Sequence, residues 1–500
     1  MNFIKRNFQK SRNIIIIKHI LVVFFILLIY LSITFDNAFI KNDMYKVIYQ
    51  QMHDNNFFRE DNKNCDKYDP IFLMGERFKE NPITLCKSQN SNHICFQASK
   101  YNNYNKISSF KYGVLCKSEN FILDPLKSFQ TNFIYKGPVD KINKGAPILY
   151  KGFFKMKCAI NKNSKKFHKI YKTYFNSWKY ENFNVNDEGS EEEIPELASD
   201  KTILFISRNQ DSPNIFHGIS EFINTLSVIY LFNLSPENIQ IIFLESMKLQ
   251  NDPFYELYKN IISRGGEPLY IRNMKQKYHI SSAFHIPINW DSPLFIRINN
   301  KKGYPDCKYS TQTYNILNNL INKYLNISVF KDSFISDEEI FYYPESVIQY
   351  FKSNNSFNKA ITIQWRKVWP RGRINQQRIL GNGPELADKL SAIVPKNYLI
   401  RLVDTASLPI IEQISIMRKT DYLIGVHGAG LSLSIFMPYQ SVLYEILPKK
   451  NIKVLDLMSA LSGHKVYSDV IKSELKIINN NQVYFFDSNQ FIQKAIKYIK

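Results

Sequence analysis

Asp421-Tyr-Leu-Ile-Gly-Val-His427-Gly-Ala-Gly430-Leu-Ser-Leu-Ser-Ile-Phe-Met-Pro438, followed by Ser441-Val-Leu-Tyr-Glu445-Ile-Leu-Pro448, carries the densest signal in the chain. Tyr422 to Val426 and Ser441 to Ile446 are short apolar runs with the length and β-branched content of buried strands. Between them a Gly-rich segment opens a predicted helix near Leu431. The reading is strand, loop, helix, strand, the repeating unit of a parallel α/β sheet. Gly428 and Gly430 are expected to reach positive φ and let the backbone approach a ligand closely, while the amides from Gly428 to Leu431, Ala429 included, point at the same spot. Such a site suits a diphosphate. A Gly-x-Gly before a helix also occurs in parallel α/β proteins that bind nothing, and His427 alone also fits a hydrogen-bonded core histidine.

The residues around this loop favour the binding site. The order His427-Gly-Ala-Gly430-Leu, then a strand carrying Glu445, resembles the carboxy-terminal signature of the family 61 glycosyltransferases. These include EGF-domain-specific O-linked N-acetylglucosamine transferases, protein O-mannose N-acetylglucosaminyltransferases and plant xylan transferases. Ile361-Thr-Ile-Gln-Trp-Arg366-Lys-Val-Trp-Pro-Arg371-Gly-Arg373, continuing to Asn382-Gly-Pro-Glu385-Leu, resembles the family's strand, arginine, short loop, second arginine, asparagine and Glu-Leu at a helix start. The loop is longer than usual, so either Arg371 or Arg373 can be the second arginine, with Arg373 the one carried forward. Asn214-Ile-Phe-His217-Gly-Ile-Ser-Glu221-Phe resembles a third element, with Glu221 where an aspartate is commoner. The resemblance implies an inverting transferase that uses a UDP-sugar, with N-acetylglucosamine as the leading donor, and a hydroxyl acceptor on a glycoprotein or glycan. It also implies a GT-B architecture.

Periodicity agrees with an α/β fold. Thr202 to Ser207, Gln240 to Glu245 and Pro268 to Arg272 read as strands alternating with helices that begin near His217 and end near Tyr258. From Lys359 to Tyr484 the alternation repeats: Ala360 to Trp365, helix Pro384 to Ile393, Tyr398 to Asp404, helix Leu408 to Lys419, then the stretch quoted above. Five hundred residues exceed what one core usually organises. The expected architecture is α/β, GT-B, two Rossmann-like domains facing a cleft, at residues 65–350 and 359–484, with a terminal helix at 485–500.

The amino terminus reads as a targeting segment. Ile20 to Phe35 has no charged residue, and Lys5, Arg6, Lys10, Arg12 and Lys18 precede it without an acidic residue. The positive-inside rule then gives a cytosolic tail at 1–19, a transmembrane signal anchor at 20–35 and a stem at 36–64, with the bulk in the lumen of the Golgi or endoplasmic reticulum. A cleaved signal peptide is the competing reading. In that compartment the six cysteines are expected to form disulfides, whose connectivity spacing does not give. Asn233, Asn326 and Asn354 head sequons. The formal charge of +21 invites a nucleic-acid reading. Lys, Asn, Ile, Tyr and Phe are abundant together along the whole chain, however, and no RNA-binding or zinc-finger signature appears, so no nucleic-acid partner is expected.

The departing nucleoside diphosphate of such a transfer gains negative charge, which a divalent metal or fixed donors must stabilise. The chain contains no Asp-x-Asp motif. The expectation is therefore metal-independent: Arg366, Arg373 and the Gly428 to Leu431 amides on the diphosphate, with Asn214 and His427 also lining the donor site, and Glu445 accepting from ribose hydroxyls. His217 and Glu221, four apart on one helix face, are the candidate bases for the acceptor hydroxyl, and Arg366 is counted with them as catalytic.

Overall fold

The computed structural model describes residues 63–66, 68–78, 83–97, 114–128, 149–160, 178–181, 194–207, 214–244, 254–264, 266–286, 307–325, 339–354, 356–367, 378–448, 455–479 and 481–499. All of them belong to one compact unit, Phe58–Lys500. The expected anchor at Ile20 to Phe35 lies outside the described residues, and among those residues no helix is long and apolar enough to cross a membrane.

The amino-terminal part is built on a ten-stranded sheet. After helix α1 (Pro70–Phe78) come β1 (Ile83–Lys87), β2 (Asn92–Gln97), β3 (Val114–Leu123), β4 (Phe154–Lys157), β5 (Ala159–Ile160) and β6 (Trp178–Glu181). Then follow β7 (Thr202–Ile206), helix α2 (Ile215–Leu231), β8 (Ile239–Phe243), β9 (Leu269–Tyr270), β10 (Tyr278–His285) and helix α3 (Gln312–Tyr324). The order is β5-β1-β2-β3-β10-β7-β8-β9, with β4 on β3 and β6 on β4. Only β10-β7-β8-β9 and the β4-β6 pair run parallel; β5, β1, β2, β3 and β10 pair antiparallel. The expected Rossmann-like first domain is thus a mixed sheet. Its antiparallel half has the alternation that permits one wetter face, whereas β8 is buried at every position. β10, the strand that joins the two halves, has no strand counterpart in the sequence reading. Its Tyr278-His-Ile-Ser-Ser-Ala-Phe-His285 is too polar for the buried-run criterion.

All six cysteines are paired: Cys65–Cys307, Cys86–Cys158 and Cys95–Cys116. Cys95–Cys116 joins β2 to β3, Cys86–Cys158 joins β1 to the residue between β4 and β5, and Cys65–Cys307 ties the chain ahead of α1 to the segment before α3. Asp69 works beside it. Its carboxylate caps α1 at Ile71 N and accepts from both Thr313 N and Thr313 Oγ1 at the start of α3.

The second sheet begins with β11 (Phe341–Tyr342), followed by helix α4 (Glu345–Asn354). The chain continues through β12 (Lys359–Gln364), the short β13 (Ile379–Leu380), α5 (Gly383–Ser391), β14 (Tyr398–Val403) and α6 (Ile410–Arg418). β15 (Tyr422–Val426), a 3-10 helix (Ala429–Phe436), β16 (Val442–Leu447), α7 (Leu455–Leu461) and β17 (Lys465–Val470) complete it. The order is β11-β14-β12-β15-β16-β17, parallel except for β11. β11 pairs with β14 and Val347 of α4 joins this sheet's core, so both belong here and not with the first domain to residue 350 as expected. A three-stranded sheet, β13-β19-β18, is attached, with β18 at Ser473–Ile478 and β19 at Asn481–Phe486. The terminal helix α8 (Ser488–Ala495) buries Phe491, Ile492 and Ala495 in the second sheet's core against Leu386 and Leu390 of α5.

Tyr422 to Val426 and Val442 to Leu447 are buried along their whole length, as apolar strands covered on both faces must be. Arg401 on β14 is an exception that explains itself. Although 1% exposed, its guanidinium donates to Thr362 Oγ1, Ile416 O, Lys419 O and Thr420 Oγ1, satisfying carbonyls left over at the end of α6. From β12 the chain steps outward to β14, then returns across β12 to β15. The carboxyl ends of β12 and β15 therefore face a crevice from which the connections diverge in opposite directions, the place where open α/β sheets bind ligands.

Candidate functional site

Two of the residues singled out by sequence stand at that crevice. Arg366 follows the end of β12 and His427 the end of β15. Arg366 Nη1 donates to His427 O at 3.5 Å, a long contact that brings the guanidinium against the Gly-rich loop. The loop's glycines are needed for this approach. A β-carbon on Gly428 would overlap the Arg366 guanidinium, and one on Gly430 would overlap the Gln364 amide. Gly428 has φ 170°, which is extended backbone, and among the described glycines only Gly152 and Gly463 lie in the left-handed region. The expected positive φ is therefore corrected: what the loop requires is the missing side chain. Gln364, buried, donates to Thr405 Oγ1 at 3.1 Å and so joins the end of β12 to the end of β14.

The helix expected from Leu431 is a 3-10 helix that starts at Ala429. Leu431 N donates to Gly428 O at 3.0 Å, so its amide is spent inside the turn and is not the ligand donor assigned to it. A 3-10 helix leaves three amides at its start without intrahelical acceptors, here those of Gly428, Ala429 and Gly430.

Glu445 is also corrected. It is 0% exposed, in the middle of β16, and its Oε1 lies 2.5 Å from Nδ1 of His427. A carboxylate so placed does not reach a ribose. An ionised Glu445 instead makes Nδ1 the donor and fixes the ring, leaving Nε2 as the group His427 can offer; its side chain is 15% exposed. A carboxylate orienting an imidazole is a recurring arrangement for setting its tautomer.

Arg371 and Arg373 lie outside the described residues. The structure instead brings in Arg378, which the sequence reading passed over. It stands one residue before β13, whose Leu380 N donates to Arg366 O at 3.1 Å, stitching β13 to the end of β12. Arg378 has φ +75°, a left-handed conformation that costs a non-glycine residue on the order of 1 kcal/mol or more. Its Nε is buried with no hydrogen-bond partner among the described residues. Burial pushes the Arg366 guanidinium down to about 10, and Arg378 adds like-charge repulsion. Burial also lowers Arg378, while Tyr484 and Glu445 pull it back up. No carboxylate forms an ion pair with Arg366 among the described residues. The crevice thus brings two partly desolvated guanidinium groups together beside three amides. The signal for Arg378 was its position just before Ile379-Leu380, an apolar pair that anchors in a sheet, whereas Arg373 sits among Pro, Gly, Asn and Gln.

The third sequence element lies on α2, which packs against the 3-10 helix. Asn214 caps α2, its side chain accepting from Phe216 N at 3.1 Å, so its oxygen is engaged in the helix start. His217 and Glu221 are both buried, and burial pushes His217 down to about 4, leaving a neutral imidazole at neutral pH. Both side chains therefore sit on the helix that packs against the 3-10 helix following the Gly-rich loop.

Comparison with known proteins now bears on this geometry. Residues 296–444 match the sequence family described as Glycosyltransferase 61. That stretch of the chain is similar to the glycosyltransferase 61 family. The match covers Arg366, Arg378 and the His427-Gly-Ala-Gly430 loop and stops short of α2. A further similarity is to the EGF domain-specific O-linked N-acetylglucosamine transferase of Drosophila melanogaster, 39% identical over 61 residues, which is 12% of this chain and 12% of that relative. The chain therefore matches about an eighth of the length of that curated relative, and the family resemblance stands on the second sheet.

Proposed function

We propose that this protein is an inverting glycosyltransferase that moves a sugar from a UDP-sugar, N-acetylglucosamine first among donors, to a hydroxyl of a glycoprotein or glycan. The observation that carries the reading is the pair Arg366 and Arg378, half-buried at the crevice within the stretch that matches the glycosyltransferase 61 family, with no ion-pair partner for Arg366 and no hydrogen-bond partner for the buried Nε of Arg378 among the described residues. Two guanidinium groups and the amides at Gly428 to Gly430 complement a diphosphate whose charge grows as the glycosidic bond breaks. His427, steadied by Glu445, supplies a hydrogen-bonding Nε2 at the same rim. His217 is the better candidate base of the two on α2, because it is neutral at physiological pH and Glu221 is 1% exposed. The reaction is read as metal-independent, proceeding across two lobes in the GT-B manner, in a type II protein of the Golgi or endoplasmic reticulum lumen.

A screen of UDP-sugars against the purified protein, following UDP release with and without a strong chelator, tests this. Release with UDP-N-acetylglucosamine, undiminished by chelation, is expected. Preference for UDP-xylose or a UDP-arabinose would move the assignment to a pentosyl transferase, and absence of any nucleotide binding would make the protein a non-catalytic carbohydrate-binding or scaffold protein.

A further inference from the structure

β18 is the outer strand of the sheet β13-β19-β18 and pairs only with β19 among the described strands. Its other edge has no partner strand among the described residues, and its side chains are open on both faces: Leu475 is 48% exposed, Ile477 63% and Ile478 45%. Apolar edge strands of this kind are templates for pairing with another strand. Nothing in the proposed transferase chemistry uses them.

We propose that β18 pairs antiparallel with β18 of a second copy of this chain, about a twofold axis through Leu475. The sequence Ser473-Glu-Leu-Lys-Ile-Ile478 selects both the partner and the register. Outward-facing backbone groups belong to alternate residues, so a symmetric antiparallel pair must match residues of the same parity. Centring on Glu474 sets Glu474 against itself and Lys476 against Lys472; centring on Lys476 sets Lys476 against itself. Both are like-charge pairs and unfavourable. Centring on Leu475 places Glu474 of each copy opposite Lys476 of the other, Ser473 opposite Ile477, and Leu475 opposite Leu475. Glu474 and Lys476 already share one face, with Lys476 Nζ 3.5 Å from Glu474 Oε1 and 4.8 Å from the Phe485 ring centroid, so the second copy exchanges an exposed intramolecular pair for two intermolecular ones. The sheet that gains a strand is the one that starts beside Arg378, so pairing stiffens the support of the diphosphate site.

All six native cysteines are in disulfides, which makes an introduced thiol on β18 unique in the full chain. In the proposed register, Leu475→Cys puts two thiols across the axis with Cα atoms about 4.5–5.5 Å apart, within disulfide range whichever pair type forms. Ile477→Cys, more exposed, puts them about 13 Å apart, beyond it. Under mild oxidation, non-reducing electrophoresis is expected to show most Leu475→Cys chains as dimers and Ile477→Cys chains as monomers. Adding Glu474→Lys to Leu475→Cys should cut the dimer yield at least fivefold, and Glu474→Lys with Lys476→Glu should restore it. A monomeric Leu475→Cys chain, equal cross-linking at Ile477→Cys, or indifference to the charge reversal would each overturn the proposal, the last two identifying mere collision of exposed thiols. None of these readings depends on transferase activity.

Discussion

Arg378 holds a left-handed backbone at φ +75° and a buried Nε without a partner among the described residues, beside a second guanidinium, three unfavourable features at one residue. A bound polyanion relieves the last two together, which is why the site reads as built for one. Arg378→Ala is expected to lower kcat/KM by about a hundredfold, as is Arg366→Ala, each removing a charged donor worth roughly 2–4 kcal/mol in a desolvated site. Steady-state kinetics of both, beside Arg373→Ala, checks the assignment; a larger loss in Arg373→Ala than in Arg378→Ala would return the second arginine to Arg373. Buried histidines give a second prediction at this scale. Burial pushes both His217 and His464 down to about 4, below the 6.5 of an unfolded chain. Between those values the unfolded chain binds the extra proton, so stability held above pH 6.5 is lost as pH falls toward 4. Each histidine should remove about 2 kcal/mol between pH 7 and 5. Urea unfolding at the two pH values, on wild type and His464→Gln, reads this directly: the variant's pH dependence should be flatter by about that amount, and an unchanged slope would contradict it.

At the scale of the element, the loop between β15 and the 3-10 helix is shaped by what enters it. Its glycines admit Arg366 and Gln364, and its extended Gly428 would tolerate another residue's φ but not its β-carbon. Gly428→Ala is therefore expected to displace the Arg366 guanidinium and weaken UDP binding at least tenfold while leaving the thermal unfolding of the second sheet's core nearly unchanged, because the clash is with the far end of a flexible side chain. Isothermal titration with UDP, beside a thermal melt, separates the two effects. Loss of fold with loss of binding would show that the loop is tensioned by the core instead. The helix α2 illustrates the opposite dependence: Gly218 lies where a β-carbon would strike the Phe254 ring, and Asn214 is occupied as a cap, so its glycine and asparagine serve packing and helix initiation.

The whole molecule combines a disulfide-laced mixed sheet with a second sheet that none of the three bridges enters. Cys65–Cys307 closes a separation of 242 residues, against 72 for Cys86–Cys158 and 21 for Cys95–Cys116. In the chain-entropy account the longest loop restrains the unfolded state most, so replacing Cys65 and Cys307 together by Ala should cost roughly 3–5 kcal/mol, and the Cys95 and Cys116 pair less. Denaturant midpoints of the paired variants rank them. A greater loss from the Cys95 and Cys116 pair would mean that native strand packing, and not loop closure, dominates.

By itself the sequence determined the α/β class and the parallel course of β12, β14, β15 and β16 within their alternating helices, because buried strands and Gly-rich turns leave patterns over a few neighbouring residues. It also fixed that the cysteines are used in pairs, though not which pairs. Four things were decided only in three dimensions. β10 became the hinge of the first sheet although its polarity resembles a loop, since cross-strand partners on both sides set its register. Glu445 turned from a ribose ligand into the buried partner of His427, because the residue facing it follows the adjacent strand β15 and does not belong to its own. The glycines were needed for side chains arriving from β12, a constraint written 60-odd residues away. Arg378 joined Arg366 because β13 is pinned to β12 and β19. Short-range pattern reports what each segment prefers, whereas a charged site is made where separate segments converge, and that convergence is a property of the packed chain.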